Sequence, residues 1–403
     1  MFEPLIRLGL RFRNLTLGFA GVLALAGLHA WLNLPIDAFP DISPTQAKII
    51  LKIPGMTPEE VEQRVVKPIE QELLSIPNKR VVRSTSKYGI ADITIDFEEG
   101  IDLYWARQQV SERLAGVVRE LPAGVSGGLA PITTPLSEMY MFTLEGEGFS
   151  LAEKRRVLDW VIRPELRTIP GVAEVNSLGG EVRTFEVIPN TSKMAAMGVT
   201  MTDMRQSLIS NNSNDGAGRL TAGEEALVVR VEGAIKTLDD LRSVRLMTSR
   251  NTKVQLDDVA TVTHGALTRY GAVTQDGQGE AVEGLVLGMR GVNARQLVNA
   301  VDAKLIEMAP RLPKGMSVKT FYNRGELVTR AADTVINALI EAAVLVCITL
   351  YVFLGGIRAA VVVAVALPLS LLSTFLLMRT FGFTANLMSL GGLAIALGML
   401  VDA

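Results

Sequence analysis

The chain divides into four runs almost free of polar residues and a long middle in which apolar positions recur at strand or helix spacing. Leu15 to Leu32 is interrupted only by Thr16 and His29. Ile336 to Ile357 and Ala359 to Met378 are separated by Arg358 alone, and each is about as long as the ~20 residues that cross a hydrocarbon core. Leu387 to Val401 carries no charge before Asp402, one residue from the last position, so the length of this run stays open and the chain reads as a fragment of a longer protein. Pro368 should kink the third run, which membrane helices tolerate, and Arg379 to Thr384 reads as an external turn. A basic start (Arg7, Arg11, Arg13) before the first run would suit a signal peptide. That run is longer than a usual signal core, however, and its small-x-small triplet, Ala24-Leu25-Ala26, lies inside it. An uncleaved anchor with a cytoplasmic N-terminus is expected, with His29 an interfacial or packed side chain. Glu341, about a turn inside the second run, reads as an interface residue.

About 300 residues between the first and second runs contain no spanning segment and are expected outside the cytoplasm. Gln46 to Ile53 reads as a strand closed by Pro54-Gly55. Thr57-Pro58-Glu59-Glu60 then opens a helix to about Ser75. Val81–Ser86 and Ala91–Phe97 follow as strands and Ile101–Glu120 as a helix, the order of a split βαβ unit. That order recurs in Met139–Leu144, Leu151–Leu166, and the strands Val172–Leu178 and Val182–Val187 joined at Gly179-Gly180. A helix from Thr191 to Ser210 follows, broken near Gly198 with a new cap at Thr200, so an internal repeat of structural order is inferred. The polar, glycine-rich segment from Asn211 to Gly223 reads as an extended hairpin or arm before the strand Ala226–Glu232. Short elements lead to a hairpin turn at Asp276-Gly277, a long helix Asn293–Ala309, a strand Met316–Phe321, and a helix from Gly325 into the second apolar run.

Composition narrows the class. The chain is 48% apolar with a mean hydropathy of +0.30, which suits several spans carrying a large soluble portion. A net charge of −2 provides no basic field for nucleic acid. The single cysteine, Cys347, excludes an internal disulfide and a CxxC metal site. No HExxH, GxGxxG phosphate loop or P-loop occurs, so an ATP-driven machine or a hydrolase has little support. Met194, Met197, Met201 and Met204 could form a soft-metal stripe, but the break at Gly198 favours core packing.

The candidate chemistry lies at the end. A carboxylate costs roughly 2.5–3.5 kcal/mol at the bilayer centre, so one on an apolar helix marks an ion or proton pathway. Asp402 stands roughly 22–24 Å along its run at ~1.5 Å per residue; the alternative is a carboxylate leaving the membrane at the far face.

Several ordered segments resemble the resistance-nodulation-division efflux permeases, specifically their heavy-metal branch. They are LPIDAFPDIS (Leu34 to Ser43), PGMTPEEVEQRVVKPIEQEL (Pro54 to Leu73), DLYWARQQVSERL (Asp102 to Leu114), PITTPLSEMYMFTLEG (Pro131 to Gly146), RTIPGVAEVNSLGG (Arg167 to Gly180) and NLMSLGGLAIALGMLVDA (Asn386 to Ala403).

The resemblance implies an α+β membrane protein: a transmembrane helical bundle, periplasmic ferredoxin-like (split βαβ) porter subdomains and a docking subdomain. Residues 1–33 would be the cytoplasmic tail and first span, 34–335 the periplasmic part, and 336–403 spans two to four. Within the periplasmic part, the two porter units would lie near 44–125 and 136–210, the docking part near 211–270, and a return to the porter at 271–335. The resemblance further implies a proton-driven exporter of metal cations in the bacterial inner membrane. It would be a homotrimer, joined by a periplasmic adaptor and an outer-membrane channel, with no cofactor. Asp402 is the position matching the family's proton relay. Drug-exporting relatives usually carry two adjacent aspartates there; here Ala403 follows. Copper and silver exporters tend to have methionine two residues before the aspartate, where this chain has Leu400; Met388 and Met399 are the remaining metal candidates. A multidrug or solvent exporter on the same fold, and a membrane-anchored periplasmic binding or assembly module, are the competing readings.

Overall fold

Thr57 and Glu60 close the first turn of their helix on each other. The Thr57 hydroxyl accepts from the Glu60 N–H at 3.3 Å and the Glu60 carboxylate accepts from the Thr57 N–H at 2.9 Å, satisfying donors that a helix start leaves unpaired. The computed structural model describes residues 9, 11–34, 41–222, 225–247, 253–354 and 357–402. It divides into two compact units: Met1–Gly146, Val161–Ser177 and Glu283–Ala403 form unit one, and Glu147–Trp160 and Leu178–Val282 form unit two.

Unit one contains two antiparallel sheets. The first orders its strands Lys79–Lys87, Ile90–Phe97, Gln46–Lys52, Ser126–Leu129, the order of the split βαβ unit read from the sequence. Ala47, Ile49 and Leu51 point to one face by strict alternation and are buried there. On that face they meet Val61, Val65, Ile69 and Leu73 of helix 58–73, and Ala106, Val110 and Leu114 of the helix Leu103–Val117.

The second sheet corrects an expectation. Arg183–Pro189 does not fold back on Val172–Gly179; it pairs in unit two with Ala260–Ala266. Its anticipated place beside Val172–Gly179 is taken by Glu280–Gly288, about a hundred residues later, which pairs with Glu138–Glu145, and that strand pairs with Ser317–Asn323. The second βαβ order is therefore completed across an insertion. Gly179 and Gly180, at φ +66° and +70°, turn the chain out of the sheet rather than into a hairpin.

The first helices of the two repeats correspond more closely than their sequences suggest. Each runs twenty residues from its capping residue to an Ile-Pro stop, Thr57 to Pro77 and Ser150 to Pro170. Each also contains one π-helical turn, Glu62–Val66 in the first and Leu158–Ile162 in the second. Pro68 lies eleven residues after its cap and Pro164 fourteen, and both wide turns end two residues before the proline. A proline inside a helix cannot donate its hydrogen bond and its ring crowds the carbonyl four residues back; a π turn widens the helix at that point.

Unit two holds the Arg183–Pro189 pair and a hairpin of Asn214–Ala222 with Glu225–Glu232. Its core gathers Met194, Val199, Met204, Leu241, Leu246, Leu256 and Val259. The methionine stripe is split as its glycine foretold. Gly198 is left-handed (φ +68°) and Thr200 caps a new helix with Asp203, so Met194 and Met204 are buried while Met197 and Met201 face outward.

Unit two's helix caps set a pH dependence. Glu153 is held below the usual carboxylate range by the Ser150 N–H and then its hydroxyl, Asp203 by the Thr200 hydroxyl and N–H, and Asp240 by the Thr237 hydroxyl with the Lys236 and Thr237 N–H groups. A depressed folded-state pKa stabilises fully above the unfolded value, near 4, and this stabilisation is lost as pH falls through the folded value. The melting temperature of the full-length protein should therefore fall between about pH 5 and about pH 3. Glu153→Gln, Asp203→Asn and Asp240→Asn together should flatten part of that fall, since amide oxygens still accept but do not titrate. A pH profile unchanged in the triple variant would refute the assignment. Glu283 in unit one acts oppositely: burial, then the Glu138 carboxylate, raises its pKa, so its contribution is lost as pH rises.

Candidate functional site

The four apolar runs form the helices Arg13–Asn33, Arg324–Leu354, Ile357–Thr380 and Leu387–Asp402, all in unit one. Among the described residues, Arg13–Asn33 meets the length and hydropathy of a membrane span, with a mean hydropathy of 1.7. It packs along Ile357–Thr380 through a glycine. A Cβ on Gly27 would stand 2.4 Å from the Leu372 carbonyl oxygen and 2.6 Å from the Leu372 Cβ, so the backbones approach as closely as a missing side chain permits. The Trp31 and Phe375 rings meet nearby, tilted by 36° with centroids 4.5 Å apart. Leu34, Met378, Ala385, Leu390 and Leu393 complete that cluster.

The candidate helix starts sharply. Asn386 is buried; its Oδ1 accepts from the Ser389 N–H at 2.9 Å, and the Ser389 Oγ accepts from the Asn386 N–H at 2.8 Å. This reciprocal pair fixes the first turn just after the polar bend. Asp402 is the last helical residue, roughly 22 Å along the axis from Leu387; its carboxylate lies outside the described part of the structure. Arg358 and Arg379 sit near opposite ends of Ile357–Thr380, roughly 31 Å apart along that helix, close to the thickness of a hydrocarbon core. The Arg379 Nη1 donates to the His29 carbonyl at 3.4 Å, and Glu341 is exposed on its helix.

The metal candidates are not brought together. Met388 and Met399 are both exposed, and they stand roughly 16 Å apart along one helix. Among the described residues, no group of three or more His, Cys, Asp or Glu side chains could hold a metal ion. Sequence reading missed a buried polar network in unit one. Tyr140, 1% exposed, hydrogen-bonds Asp302, meets Thr320 Oγ1 at 2.5 Å, and is raised above the ordinary phenol range by burial and then by Asp302. Nothing in the local pattern around Tyr140 distinguishes it from its apolar neighbours; its partners lie 162 and 180 residues away.

Comparison with known proteins places this architecture. The pattern of the AcrB/AcrD/AcrF family matches residues 5–403. Over its whole length the chain is 39% identical to protein HelA of Legionella pneumophila, covering 39% of that protein. It is 38% identical to the cobalt-zinc-cadmium resistance protein CzcA of Cupriavidus metallidurans, covering 38% of it. The crystal structure of a heavy metal efflux pump aligns with 99% of the chain at a TM-score of 0.91 and 34% identity, with 40% of that pump covered. The chain thus spans about two fifths of the length of these relatives.

Proposed function

Because the chain belongs to the AcrB/AcrD/AcrF family, we propose that it forms the N-terminal part of a bacterial inner-membrane permease that exports heavy-metal cations against a flow of protons. Transport, not chemical conversion, is its work. The observation that carries this reading is the pairing of an uncharged helix ending in Asp402 with an α/β portion, in a chain that aligns over 99% of its length with a heavy metal efflux pump. The two sheets of unit one then act as the porter, unit two contributes the docking part, and the helices Arg13–Asn33, Arg324–Leu354, Ile357–Thr380 and Leu387–Asp402 belong to the membrane bundle. A homotrimer, a periplasmic adaptor and an outer-membrane channel complete the pathway in this reading.

The lone aspartate favours cation export over drug export, since Ala403 stands where drug-exporting relatives carry a second carboxylate. The test is tolerance: a pump-deleted host expressing the full-length protein is scored on zinc, cobalt, cadmium, copper and silver salts. Raised tolerance to one or more of these supports the reading. Tolerance gained only to solvents or drugs assigns the chain to the drug-exporting branch, and an unchanged host rejects export.

The hairpin of unit two makes the trimer contact in this proposal. Its base is pinned by amide side chains: Asn214 Oδ1 accepts from the Gly233 and Ala234 N–H groups, and Asn212 Oδ1 from the Ile235 N–H, each at 3.0 Å. Val228 and Val231 leave apolar surface exposed on it. The segment Asn211 to Gly223 has no aromatic or sulfur side chain for a drug or metal. Removing residues 215–231 should lower the trimer fraction in mass photometry by more than half without changing the order of metals tolerated. An unchanged trimer with an altered metal order would assign the hairpin to substrate instead.

A further inference from the structure

In unit one the strand Gln46–Lys52, the start of the helix Leu103–Val117 and the segment 131–135 surround a cavity of about 270 Å³. Its charged lining consists of Lys48, Arg107 and Arg290, with no acidic residue. Two of these cations have carboxylate partners outside the lining. Lys48 meets Asp92 at 2.8 Å; Arg290 meets Asp41 at 3.2 Å and donates to the Ser43 carbonyl at 2.6 Å. Arg107 has none. Its Nη1 donates to the Ala130 carbonyl at 2.7 Å, which is its one hydrogen bond among the described residues. Burial holds its pKa below the ordinary guanidinium value, with Tyr104 opposing. A guanidinium carries five donors in a planar fork, and a partly buried charge without a counter-charge is costly. Among the described residues three cations face two carboxylates, and the positive charge left over lies at Arg107.

We propose that this cavity binds a small oxyanion, with Arg107 as its principal ligand. The fork geometry fits two oxygens of a phosphate or carboxylate group side by side. The Lys48 donors not engaged by Asp92 supply further contacts around it. Pro44, Pro131 and Pro135 form part of the wall; their fixed backbone keeps the cavity open without ordering on binding. The shared chemistry is an oxyanion of one or two charges; a tetrahedral phosphate and a planar carboxylate are its two sources. The inference is independent of which cation, if any, the full-length protein exports.

The test uses the full-length protein in detergent at constant ionic strength. Calorimetric titration with sodium phosphate, and separately with sodium acetate, should show saturable binding of one anion per chain for at least one of the two, the better binder naming the source. Arg107→Gln should weaken that binding at least tenfold and Arg107→Lys by an intermediate factor, while exposed Arg113→Gln leaves it unchanged. Should the Arg107 variants fold poorly, the wild type decides: the bound anion must slow phenylglyoxal modification of Arg107, read by mass spectrometry, and leave Arg113 unaffected. No saturable binding of either anion, wild-type affinity in Arg107→Gln, or equal labelling of both arginines overturns the proposal. The first of these outcomes would leave the cavity to an acidic side chain of the longer protein.

Discussion

Asp402→Asn in the full-length protein is expected to reduce metal tolerance to that of the pump-deleted host while trimer assembly and membrane yield stay at the wild-type level. Asparagine keeps the shape and the hydrogen-bonding reach of the side chain but cannot take up or release a proton. Asp402 lies roughly 22 Å along an apolar helix; on the reading proposed above it faces the membrane interior, and an ionised carboxylate at the bilayer centre costs roughly 2.5–3.5 kcal/mol on insertion scales. Burial favours the neutral acid and a nearby cation favours the charged one, so small changes in the surrounding helices can switch it. A transmembrane potential adds about 2.3 kcal/mol per charge per 100 mV, enough to drive such a switch in one direction. Metal tolerance and the dissipation of a pH gradient in proteoliposomes are the two readouts. The substitution should remove both, a loss of tolerance of at least tenfold. Wild-type tolerance in the asparagine variant would remove Asp402 from the proton pathway.

Gly27→Leu is expected to be the most damaging single change in the apolar helices outside Asp402. A single added carbon already lies 2.4 Å from the Leu372 carbonyl oxygen, and the obstacle is backbone, which cannot rotate away. The helices Arg13–Asn33 and Ile357–Thr380 must then separate by the width of a side chain, undoing the ring contact of Trp31 with Phe375 and the cluster around Leu34 and Met378. Overpacking of this kind costs about 1–3 kcal/mol and occasionally more. Fluorescence-detected gel filtration in mild detergent should show a loss of the monodisperse peak. Gly21→Leu on the same helix is the control, since nothing lies within 4 Å of a Cβ there; similar profiles for the two variants would contradict the close approach.

Much of the fold was legible because it is written in short-range chemistry. The cap at Thr57 with Glu60, the break at Gly198 with a new cap at Thr200, and the Asp276-Gly277 turn, where both residues have positive φ, each depend on residues within a few positions. The apolar runs were legible from length alone. What failed was pairing at a distance. The strand Arg183–Pro189 alternates as well as any neighbour would, and the choice of Glu280–Gly288 over it is made by the insertion between them, which no local pattern encodes. The wide helical turns were missed for a different reason. Val61, Val65, Ile69 and Leu73 are buried at steps of four, as are Leu158, Ile162 and Leu166, and a period of four drifts around an ordinary helix. At the candidate site Asp402 stood out as a lone charge. Arg107 did not, because its isolation depends on which carboxylates the strands bring near Lys48 and Arg290 rather than on its own surroundings in the chain.

The two wide turns, each ending two residues before a proline, have a consequence for how such helices change. Cap and stop are twenty residues apart in both repeats, although the prolines differ in position by three. The number of residues between the ends is thus fixed by the strands they feed, while the wide turn travels with the proline like a slack link in a chain of constant length. Proline is free to migrate by nearly a full turn without any compensating insertion. A deletion inside the slack link is the forbidden move: it would rotate everything downstream by about 100° and carry Ile69 and Leu73 off the sheet they cover.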